Sequence, residues 1–328
     1  MYYLLIDIGK TKTVSVVVDV QLNILGYGIS GPADITMDRD IIRRNLLESV
    51  KKALKLSNLG LNDVRVIVIS WAGLDTKAHY EEAVKIATEI GFPMDKTHVI
   101  HDAIAALYAV TLGQPGVAII AGTGAIAIGI DEKGRMARSG GWGWLIGDEG
   151  SGSWIALQAL NAASRAYDGR GPYTTLVKRI CEYYGVKDLL DIITPIYRDV
   201  TKGDISRIAR IAILVDEEAS KGDEVSLAIL RKAGLELVDA VLSVIKRLEL
   251  EGKEIVIGGV GSVFKSKIVR ETFMSEIKRR APYAKVKEPL IGSEAIIGCL
   301  VYALSKTGEA VSSNMLVKFR ENLKSIGI

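Results

Sequence analysis

The sequence predicts an α/β protein built from two related halves. First, an apolar run broken by a short polar turn occurs twice, at residues 2–18 (YYLLIDIGKTKTVSVVV) and 116–130 (GVAIIAGTGAIAIGI). Apolar and β-branched residues on both sides of such a turn indicate a β-hairpin. Second, strand-like and helix-like segments follow both hairpins in the same β-β-β-α-β-α order. Third, 328 residues, 48% of them hydrophobic, suffice for two domains with separate cores.

The first half continues with alternating strands and helices after its hairpin. Period and composition predict strands at 23–30, 64–70 and 97–100, and helices at 38–56, 77–90 and 103–112. The stretch 110–116 (VTLGQPG) contains Gly and Pro and directly precedes the second hairpin. We therefore expect a first domain of residues 1–115 and a second of 116–305.

The second half differs from the first by a long helical region. A third strand is expected near 134–139, and apolar residues recur at helical spacing through about 153–250, which predicts a helical insertion. A buried strand (EIVIGG) and a further helix follow. The polar tail, 306–328, is expected to form a helix that packs back on the first domain.

Composition excludes several classes of function. The net charge is +3, with Lys and Arg interspersed among Asp and Glu, so no nucleic acid or membrane surface is expected as a partner. No segment suits a signal peptide or a membrane span, and a cytoplasmic protein is expected. Cys181 and Cys299 form no CxxC, and the three His have no HExxH spacing, so a disulfide framework or zinc site is not supported.

The turn of the first hairpin suits a phosphate and its magnesium. Asp7 ends the first strand, and Gly9 is expected to take a positive φ in the turn. The turn offers backbone N–H groups, hydroxyls and cations, from Gly9, Lys10, Thr11, Lys12 and Thr13. It is not a Walker loop, because a strand rather than a helix follows it. The structural alternative is an ordinary Gly-Lys hairpin.

Asp102 is a candidate general base. It lies in HVIHDAIAAL, where a short strand ends and a helix begins. A carboxylate there could accept a proton from an attacking hydroxyl within hydrogen-bond reach. The alternative is that Asp102 only caps the helix.

A glycine-rich segment at 139–160 (SGGWGWLIGDEGSGSWIALQAL) is the most specific stretch. Its 140–152 portion holds six Gly, with Trp142, Trp144, Asp148 and Glu149. Carboxylate acceptors beside an aromatic face could bind a polar ligand. The alternative is that both Trp belong to the core. A weaker candidate is the strand end in KEIVIGGVGSVF, where Gly258 and Gly259 could let backbone approach a flat ligand, or could serve packing alone.

Together these segments resemble a known family. The motifs DIGKTKT, WAGLD, HDAIAAL, IAGTGA, GGWGWLIGDEGSG, VIGGV and IGSEAIIG are similar, in order, to the N-acetylglucosamine kinase and archaeal hexokinase branch (BadF/BadG/BcrA/BcrD-type ATPases) of the sugar kinase, Hsp70 and actin superfamily. The resemblance covers residues 3 to about 304. It implies two ribonuclease-H-like domains of the actin-like ATPase kind, with ATP and sugar in the interdomain cleft.

The resemblance also implies roles for individual residues. Asp102 matches the catalytic base, and Asp7 matches the residue that holds hydrated Mg²⁺. The ATP-binding positions correspond to Gly9, Lys10, Thr11, Lys12, Thr13, Gly122, Thr123, Gly124, Gly258 and Gly259. The sugar-binding positions correspond to Asp34, Gly141, Trp142 and Asp148. Related hexokinases carry Gly-Asn after SGP, where this chain has Ala33-Asp34.

The function expected from the resemblance is transfer of the γ-phosphoryl group of ATP to a hydroxyl of a hexose or N-acetylhexosamine. Two alternatives stay open: an ATPase that activates 2-hydroxyacyl-CoA dehydratases, which requires cysteines for an iron–sulfur cluster, and a nucleotide-switched binding module. The sequence leaves open which sugar is used, whether the N-acetyl group is needed, and how many chains assemble, with a homodimer as one option.

Overall fold

In the computed structural model, which describes residues 1–292, 294–309 and 313–328, ten strands form two five-stranded mixed sheets. The sheets belong to two units of the chain. Unit 1 comprises Met1–Gln114 and Gly292–Ile328, and unit 2 comprises Pro115–Ile291. The predicted α/β class is therefore confirmed.

The sheet of unit 1 has the strand order β3-β2-β1-β4-β5. Its strands are β1 Tyr2–Ile8, β2 Thr13–Asp19, β3 Ile24–Ser30, β4 Val64–Trp71 and β5 Thr97–His101. The first three are antiparallel neighbours, whereas β4 and β5 run parallel to β1. β1 is the central strand, and its near-continuous apolar run is buried because helices cover both faces of the sheet.

Five helices accompany this sheet: α1 Arg39–Ser57, α2 Lys77–Ile90, α3 Asp102–Thr111, α11 Glu294–Thr307 and α12 Ser313–Ser325. Three of them begin at polar caps that the sequence supplies. The Asp38 carboxylate accepts from the first turn of α1, the Thr76 hydroxyl accepts from His79 N, and His101 Nδ1 accepts from Ala103 N. The register of β1, β4 and β5 and the start of α3 thereby bring Asp7 and Asp102 to the same end of the sheet.

Helix α11 lies in unit 1, whereas the sequence placed residues up to 305 in the second domain. It packs on α3, β1 and β4. Gly298 permits this contact, because a Cβ there would overlap the carbonyl group of Ala105. Helix α12 contacts β3 and buries Phe319 and Leu323. The predicted tail helix, 306–328, thus corresponds to the end of α11 and to α12, and residues 310–312 between them lie outside the described residues. Ser293 of the IGSEAIIG motif does so too.

The sheet of unit 2 repeats the topology, with the order β10-β9-β6-β7-β8. Its strands are β6 Gly116–Ala121, β7 Ala125–Ile130, β8 Met136–Gly140, β9 Val256–Val260 and β10 Lys285–Val286. β6, β7 and β8 are antiparallel neighbours, and β9 and β10 run parallel to β6. Each strand of unit 1 thus has a counterpart in unit 2, as the repeated hairpins predicted.

The helical insertion lies between β8 and β9, where unit 1 has only α1 between β3 and β4. Its helices are α4 Gly152–Tyr167, α5 Leu176–Tyr184, α6 Ile193–Thr201, α7 Ile205–Ala209, α8 Ile211–Ser220 and α9 Glu224–Arg247. After β9 follows α10 Lys267–Arg280. The long helix α9 packs on β6 and β7 and forms one core with α4, α8 and α10. Within the described residues, no helix combines the length and apolarity that crossing a membrane requires.

Candidate active site

The turn between β1 and β2 exposes the groups predicted to meet a phosphate. Lys10, Thr11 and Lys12 are exposed at its tip, and Gly9 N donates to Lys12 O at 3.0 Å. The predicted positive φ at Gly9 is wrong. Gly9 is favoured instead by close approach, because a Cβ there would lie 3.3 Å from Lys12 O.

Thr13 lies one residue beyond the exposed tip, inside the sheet. Its side chain is fully buried at the start of β2, and Oγ1 donates to Gly31 O at 2.9 Å. The sequence grouped Thr13 with the phosphate turn. Because β2 begins at Thr13, its hydroxyl donates to a backbone carbonyl of the protein and not to a ligand.

Asp7 lies at the end of β1, between Val14 of β2 and Ser70 of β4. Ser70 Oγ donates to Asp7 Oδ1 at 3.3 Å. Burial first, and the negative charge of Asp102 second, raise the pKa of Asp7 to about 7, against the opposing effects of Ser70 and Lys12. A cation at Asp7 would offset both unfavourable effects.

Asp102 is the first residue of α3 and does not cap it. The N-cap is His101, whose Nδ1 accepts from Ala103 N at 3.0 Å. The Asp102 side chain is 45% exposed, and in the described part of the chain its one close polar contact is His101 Nδ1, 2.7 Å from Oδ1. Capping therefore does not explain the carboxylate, and it is accessible to a ligand.

Asp34 is held in a buried loop beside the WAGLD motif. Its Oδ1 accepts from Thr36 N at 2.9 Å and from Thr36 Oγ1 at 2.6 Å. Oδ2 is buried and has no hydrogen-bond partner among the described residues. Two residues that we did not predict shape this loop: Trp71 Nε1 donates to Ala33 O at 2.9 Å, and Gly73 approaches the Asp34 carboxylate. The motif WAGLD was the signal for both.

In unit 2 the Gly122–Gly124 turn is tied to the start of α4. Gly122 N donates to Gly124 O at 2.9 Å, which closes the turn. Gly152 N donates to Gly122 O at 2.8 Å, and Ser153 N donates to Thr123 O at 3.1 Å. The Thr123 side chain stays exposed. A rigid turn that presents an exposed hydroxyl beside a helix N-terminus suits an anion.

Asp148 joins this turn to the glycine-rich segment. It is buried, adopts the left-handed conformation with φ 56°, and accepts from Gly143 N on Oδ1 at 3.3 Å. A Cβ on Gly124 would lie 2.6 Å from Asp148 Oδ2, so only glycine fits there without movement. The carboxylate thus lies against the second turn and orders the loop that follows β8.

Trp142 stands on the surface of unit 2. It is 65% exposed, with the Arg138 guanidinium 5.5 Å from its ring centroid. The suggestion that Trp142 is a core residue is therefore wrong. Gly141, at φ 70°, brings the chain against Ile126, since a Cβ would lie 2.8 Å from its Cδ1. Leu145 and Ile146 are also exposed, so the loop presents an apolar face.

A cavity of about 410 Å³ opens beside the second turn, within unit 2. The Gly122–Thr123 backbone, α7, α8 and the turn after β9 form its wall. The residues that carry polar or charged groups into it are Thr123, Ser206, Arg210, Asp216, Ser262, Lys265 and Ser266. Apolar side chains from α4, α8 and α9 supply much of the remainder. The size and mixed lining suit a small organic ligand.

The two glycines predicted to contact adenosine are not among the residues that line this cavity. Gly258 and Gly259 are buried in β9, and a Cβ on Gly259 would meet the Phe264 ring at 2.6 Å. Just after β9, Gly261 also requires glycine, because φ is 113° and a Cβ would overlap the carbonyl of Ala121. The sequence missed Gly261 because its φ and its neighbour are not visible in a motif.

The comparisons with known proteins agree on one family. Residues 5–303 match the BadF/BadG/BcrA/BcrD ATPase family. The chain is 32% identical over 308 residues to an N-acetylmuramic acid/N-acetylglucosamine kinase of Clostridium acetobutylicum, covering 93% of this chain and 99% of the relative. It is 31% identical over 293 residues to an N-acetyl-D-glucosamine kinase of Dictyostelium discoideum, covering 86% of this chain and 91% of that one.

A solved structure shows the same fold. It is a candidate N-acetylglucosamine kinase from Chromobacterium violaceum, which superposes with a TM-score of 0.72 at 21% identity, covering 92% of this chain and 98% of that chain. The residues that match the family model, 5–303, include both hairpin turns, Asp102 and the glycine-rich segment. The chain is thus a member of the BadF/BadG/BcrA/BcrD ATPase family.

Proposed function

We propose that the protein is an ATP-dependent sugar kinase that transfers the γ-phosphoryl group to a hydroxyl of a hexose or N-acetylhexosamine. Two relatives above 30% identity are named for this reaction on amino sugars, and they are covered almost completely. A sugar and a nucleotide are therefore its small-molecule partners. Because ATP is supplied inside the cell, we place the protein in the cytoplasm, and a homodimer is the assembly we would test first.

The observation that carries the proposal is the state of Asp102. Its carboxylate is accessible, has no capping duty, and lies at the same end of the sheet as Asp7. Asp102 would accept the proton of the sugar hydroxyl as that oxygen attacks the γ-phosphorus. Phosphoryl transfer otherwise depends mainly on positioning and on charge stabilisation.

Each exposed turn would serve as a phosphate-binding element of its own unit. Lys10 and Lys12 supply positive charge in unit 1, and the Gly122–Gly124 turn supplies backbone N–H groups and the Thr123 hydroxyl in unit 2. The 410 Å³ cavity beside that turn would take the nucleoside. Its apolar wall suits the base, while Asp216 can accept hydrogen bonds from the ribose or the base.

Asp7 fits a magnesium ion held through water. Mg²⁺ keeps several waters and uses one or two carboxylates plus substrate phosphates, so a dedicated cage is not needed. The raised pKa of Asp7 indicates a carboxylate whose charge lacks compensation. When bound, Mg²⁺ would supply the positive charge that neutralises the phosphate oxygens during transfer. Asp7, supported by the Ser70 hydroxyl, would orient its hydration shell.

Candidate sugar contacts occur in each unit: Asp34 in unit 1, and Gly141, Trp142 and Asp148 in unit 2. Among the described residues, Asp34 Oδ2 is a buried acceptor without a hydrogen-bond partner, and a sugar hydroxyl would satisfy it. A carboxylate accepts only, whereas the Asn of related hexokinases can also donate, so Asp34 favours a pair of donating hydroxyls or an ammonium group. The exposed Trp142 ring can cover the apolar face of a pyranose.

Neither alternative function gains support from the molecule. An iron–sulfur activator needs accessible thiolates, but Cys299 is fully buried in α11 and Cys181 is half-buried in α5 of the other unit. A nucleotide-switched binding module would not require an accessible Asp102 carboxylate that caps no helix. The relatives above 30% identity are kinases.

A coupled ADP-release assay tests the proposal. Glucose, glucosamine, N-acetylglucosamine and mannose are each supplied with ATP and Mg²⁺, with a sugar-free reaction as the control. We expect ADP release to depend on at least one sugar and to cease when Mg²⁺ is chelated. Release of ADP at the same rate with and without every sugar would refute the proposal.

A further inference from the structure

His101 lies between two carboxylates at the end of β5. Its Nδ1 is 2.7 Å from Asp102 Oδ1, and its Nε2 is 3.4 Å from Asp75 Oδ1. The imidazole is 23% exposed, whereas Asp75 is 60% exposed, so the chain of groups leads from the candidate base towards solvent. Asp75 belongs to the WAGLD motif, to which the proposed function assigned no role.

The hydrogen bonds select one neutral tautomer of His101. Ala103 N donates to Nδ1 at 3.0 Å, so Nδ1 carries the lone pair and the ring proton is on Nε2, facing Asp75. In this state Nδ1 cannot donate to the Asp102 carboxylate. It can, however, accept a proton that Asp102 has received, because the 2.7 Å separation suits an O–H···N hydrogen bond.

We propose that His101 is a positioning residue and proton relay for Asp102, passing the proton of the sugar hydroxyl to Asp75 and then to water. This inference rests on the proposed kinase function and adds residues that the sequence analysis did not assign. It gives the Asp75–His101–Asp102 group, hereafter the relay, a chemical role beyond capping α3.

The steps balance. The sugar O–H bond breaks as the new O–P bond forms and the bond from the γ-phosphorus to the leaving ADP oxygen breaks. The released proton goes to an Asp102 carboxylate oxygen. The resulting Asp102 O–H proton moves to His101 Nδ1, the Nε2 proton leaves to Asp75, and Asp75 loses its proton to water. The Nε2-protonated tautomer is restored by proton exchange with solvent, and no co-reactant is needed.

The surrounding charges favour the imidazolium intermediate. Burial lowers the pKa of His101, but the hydrogen bonds and charges of Asp102 and then Asp75 outweigh it, so the pKa is raised. Among the described residues, these two are the charged groups that act on the ring. Asp7 interacts electrostatically with Asp102 and with Lys12. An imidazolium between two carboxylates can therefore form transiently during turnover.

The first test variant is His101→Asn, which keeps a side-chain oxygen for the Ala103 N–H cap but cannot relay a proton. At saturating Mg²⁺, ATP and sugar, kcat should fall roughly tenfold to a hundredfold, less than the 10²–10⁴-fold contribution of a general base, because Asp102 itself is retained. KM for both substrates and the melting temperature should stay near those of the parent. The parent kcat should rise with pH through the His101 titration, and His101→Asn should lack that rise.

The second variant is His101→Gly, because glycine is also tolerated at N-caps and leaves room for imidazole. Added imidazole should restore part of kcat to His101→Gly and none to Asp102→Asn. Asp75→Asn should lower kcat less than His101→Asn, because its amide oxygen still accepts from Nε2. These outcomes separate relay from capping.

A His101→Asn protein with the kcat and pH profile of the parent would overturn the relay and leave His101 as a helix cap. Absence of imidazole rescue in a folded His101→Gly protein would do the same. The proposed function fails separately, if the parent itself shows no sugar-dependent ADP release. If Asp102→Asn were inactive while His101→Asn kept full activity, the relay would be refuted and the proposed function would stand.

Discussion

Replacing Asp102 by Asn isolates the proton acceptor of the proposed reaction. Since His101 rather than Asp102 caps α3, the exchange removes no capping bond. It removes one negative charge from the first turn of a helix, which costs about 0.3–1 kcal/mol of stability. It also removes the charge that helps raise the pKa of Asp7, so that pKa should fall. The variant should therefore fold.

Activity should respond far more than stability. A general base contributes roughly 10²–10⁴-fold, or about 2.7–5.5 kcal/mol of transition-state stabilisation, so kcat should drop by that factor. The matched control is Asp40→Asn, an exposed Asp in the first turn of α1 to which the proposed function assigns no role. It loses the same helix-terminal charge and should keep full kcat.

The assay combines steady-state ADP release with calorimetric binding of ATP and of sugar. Asp102→Asn should bind ATP as the parent does, because the proposed nucleotide contacts come from the two turns and from the cavity. Sugar affinity should change by only a few fold, if the carboxylate also bonds the ground-state hydroxyl. A folded Asp102→Asn protein that turns over within about threefold of the parent would refute the assignment, since the expected loss is far larger.

Three further changes test other parts of the site. Asp148→Ala should raise the sugar Kd about ten- to a hundredfold and also lower the melting temperature, because a buried acceptor that orders its loop is worth roughly 1–3 kcal/mol. Unchanged sugar affinity in calorimetry would show that Asp148 has only a structural role. Gly261→Ala should destabilise by about 1–3 kcal/mol and weaken ATP binding, as φ is 113° and the turn borders the cavity. Its control, Gly252→Ala, has a positive φ but no atom within 4 Å of the added Cβ; equal ATP affinities in the two variants would contradict the steric argument. The third change is one of pH, in Mg²⁺-free buffer. Because the pKa of Asp7 is raised to about 7, its contribution to the stability of the fold is fully present below its ordinary pKa of 3.8 and is lost as the pH rises through about 7. Unfolding free energy should thus fall by up to about 4 kcal/mol over that window, and Asp7→Asn should flatten the slope; parallel pH profiles of denaturant unfolding would count against it.

The regular elements were accessible from sequence because their signals are local. Helix α2 occurs at the predicted 77–90. β3 and β4 each differ from prediction by one residue at one end, and α1 differs by one residue at both ends. Two hairpins with small polar turns predicted two similar sheets, and the strand order of unit 2 repeats that of unit 1. Periodicity and turn residues determine such features within a short window.

The features that the sequence missed depend on contacts between distant residues. Thr13 was expected at a phosphate, but its hydroxyl donates to Gly31 O, just after the end of β3. Helix α11 was assigned to the second domain because it follows β10, although it packs on α3 in unit 1. None of these is decided by residues adjacent in the chain.

In the candidate site, too, the sequence predicted some features and missed others. Motifs brought out Asp7, Asp102 and Asp148, because carboxylates at strand and loop ends are visible in sequence. The cap at His101 and the orphaned oxygen of Asp34 required side-chain geometry. The cavity draws part of its wall from α7, α8 and α9 of the helical insertion, whose residues carry no motif, so that part of its lining could not be predicted.

Phosphorus NMR of a single reaction tests the central claim most directly. The protein is incubated with ATP, Mg²⁺ and the sugar that best supports ADP release. A sugar phosphomonoester signal should grow in step with ADP, and Asp102→Asn should abolish it. Formation of inorganic phosphate in place of the phosphomonoester, at a rate independent of sugar, would contradict it.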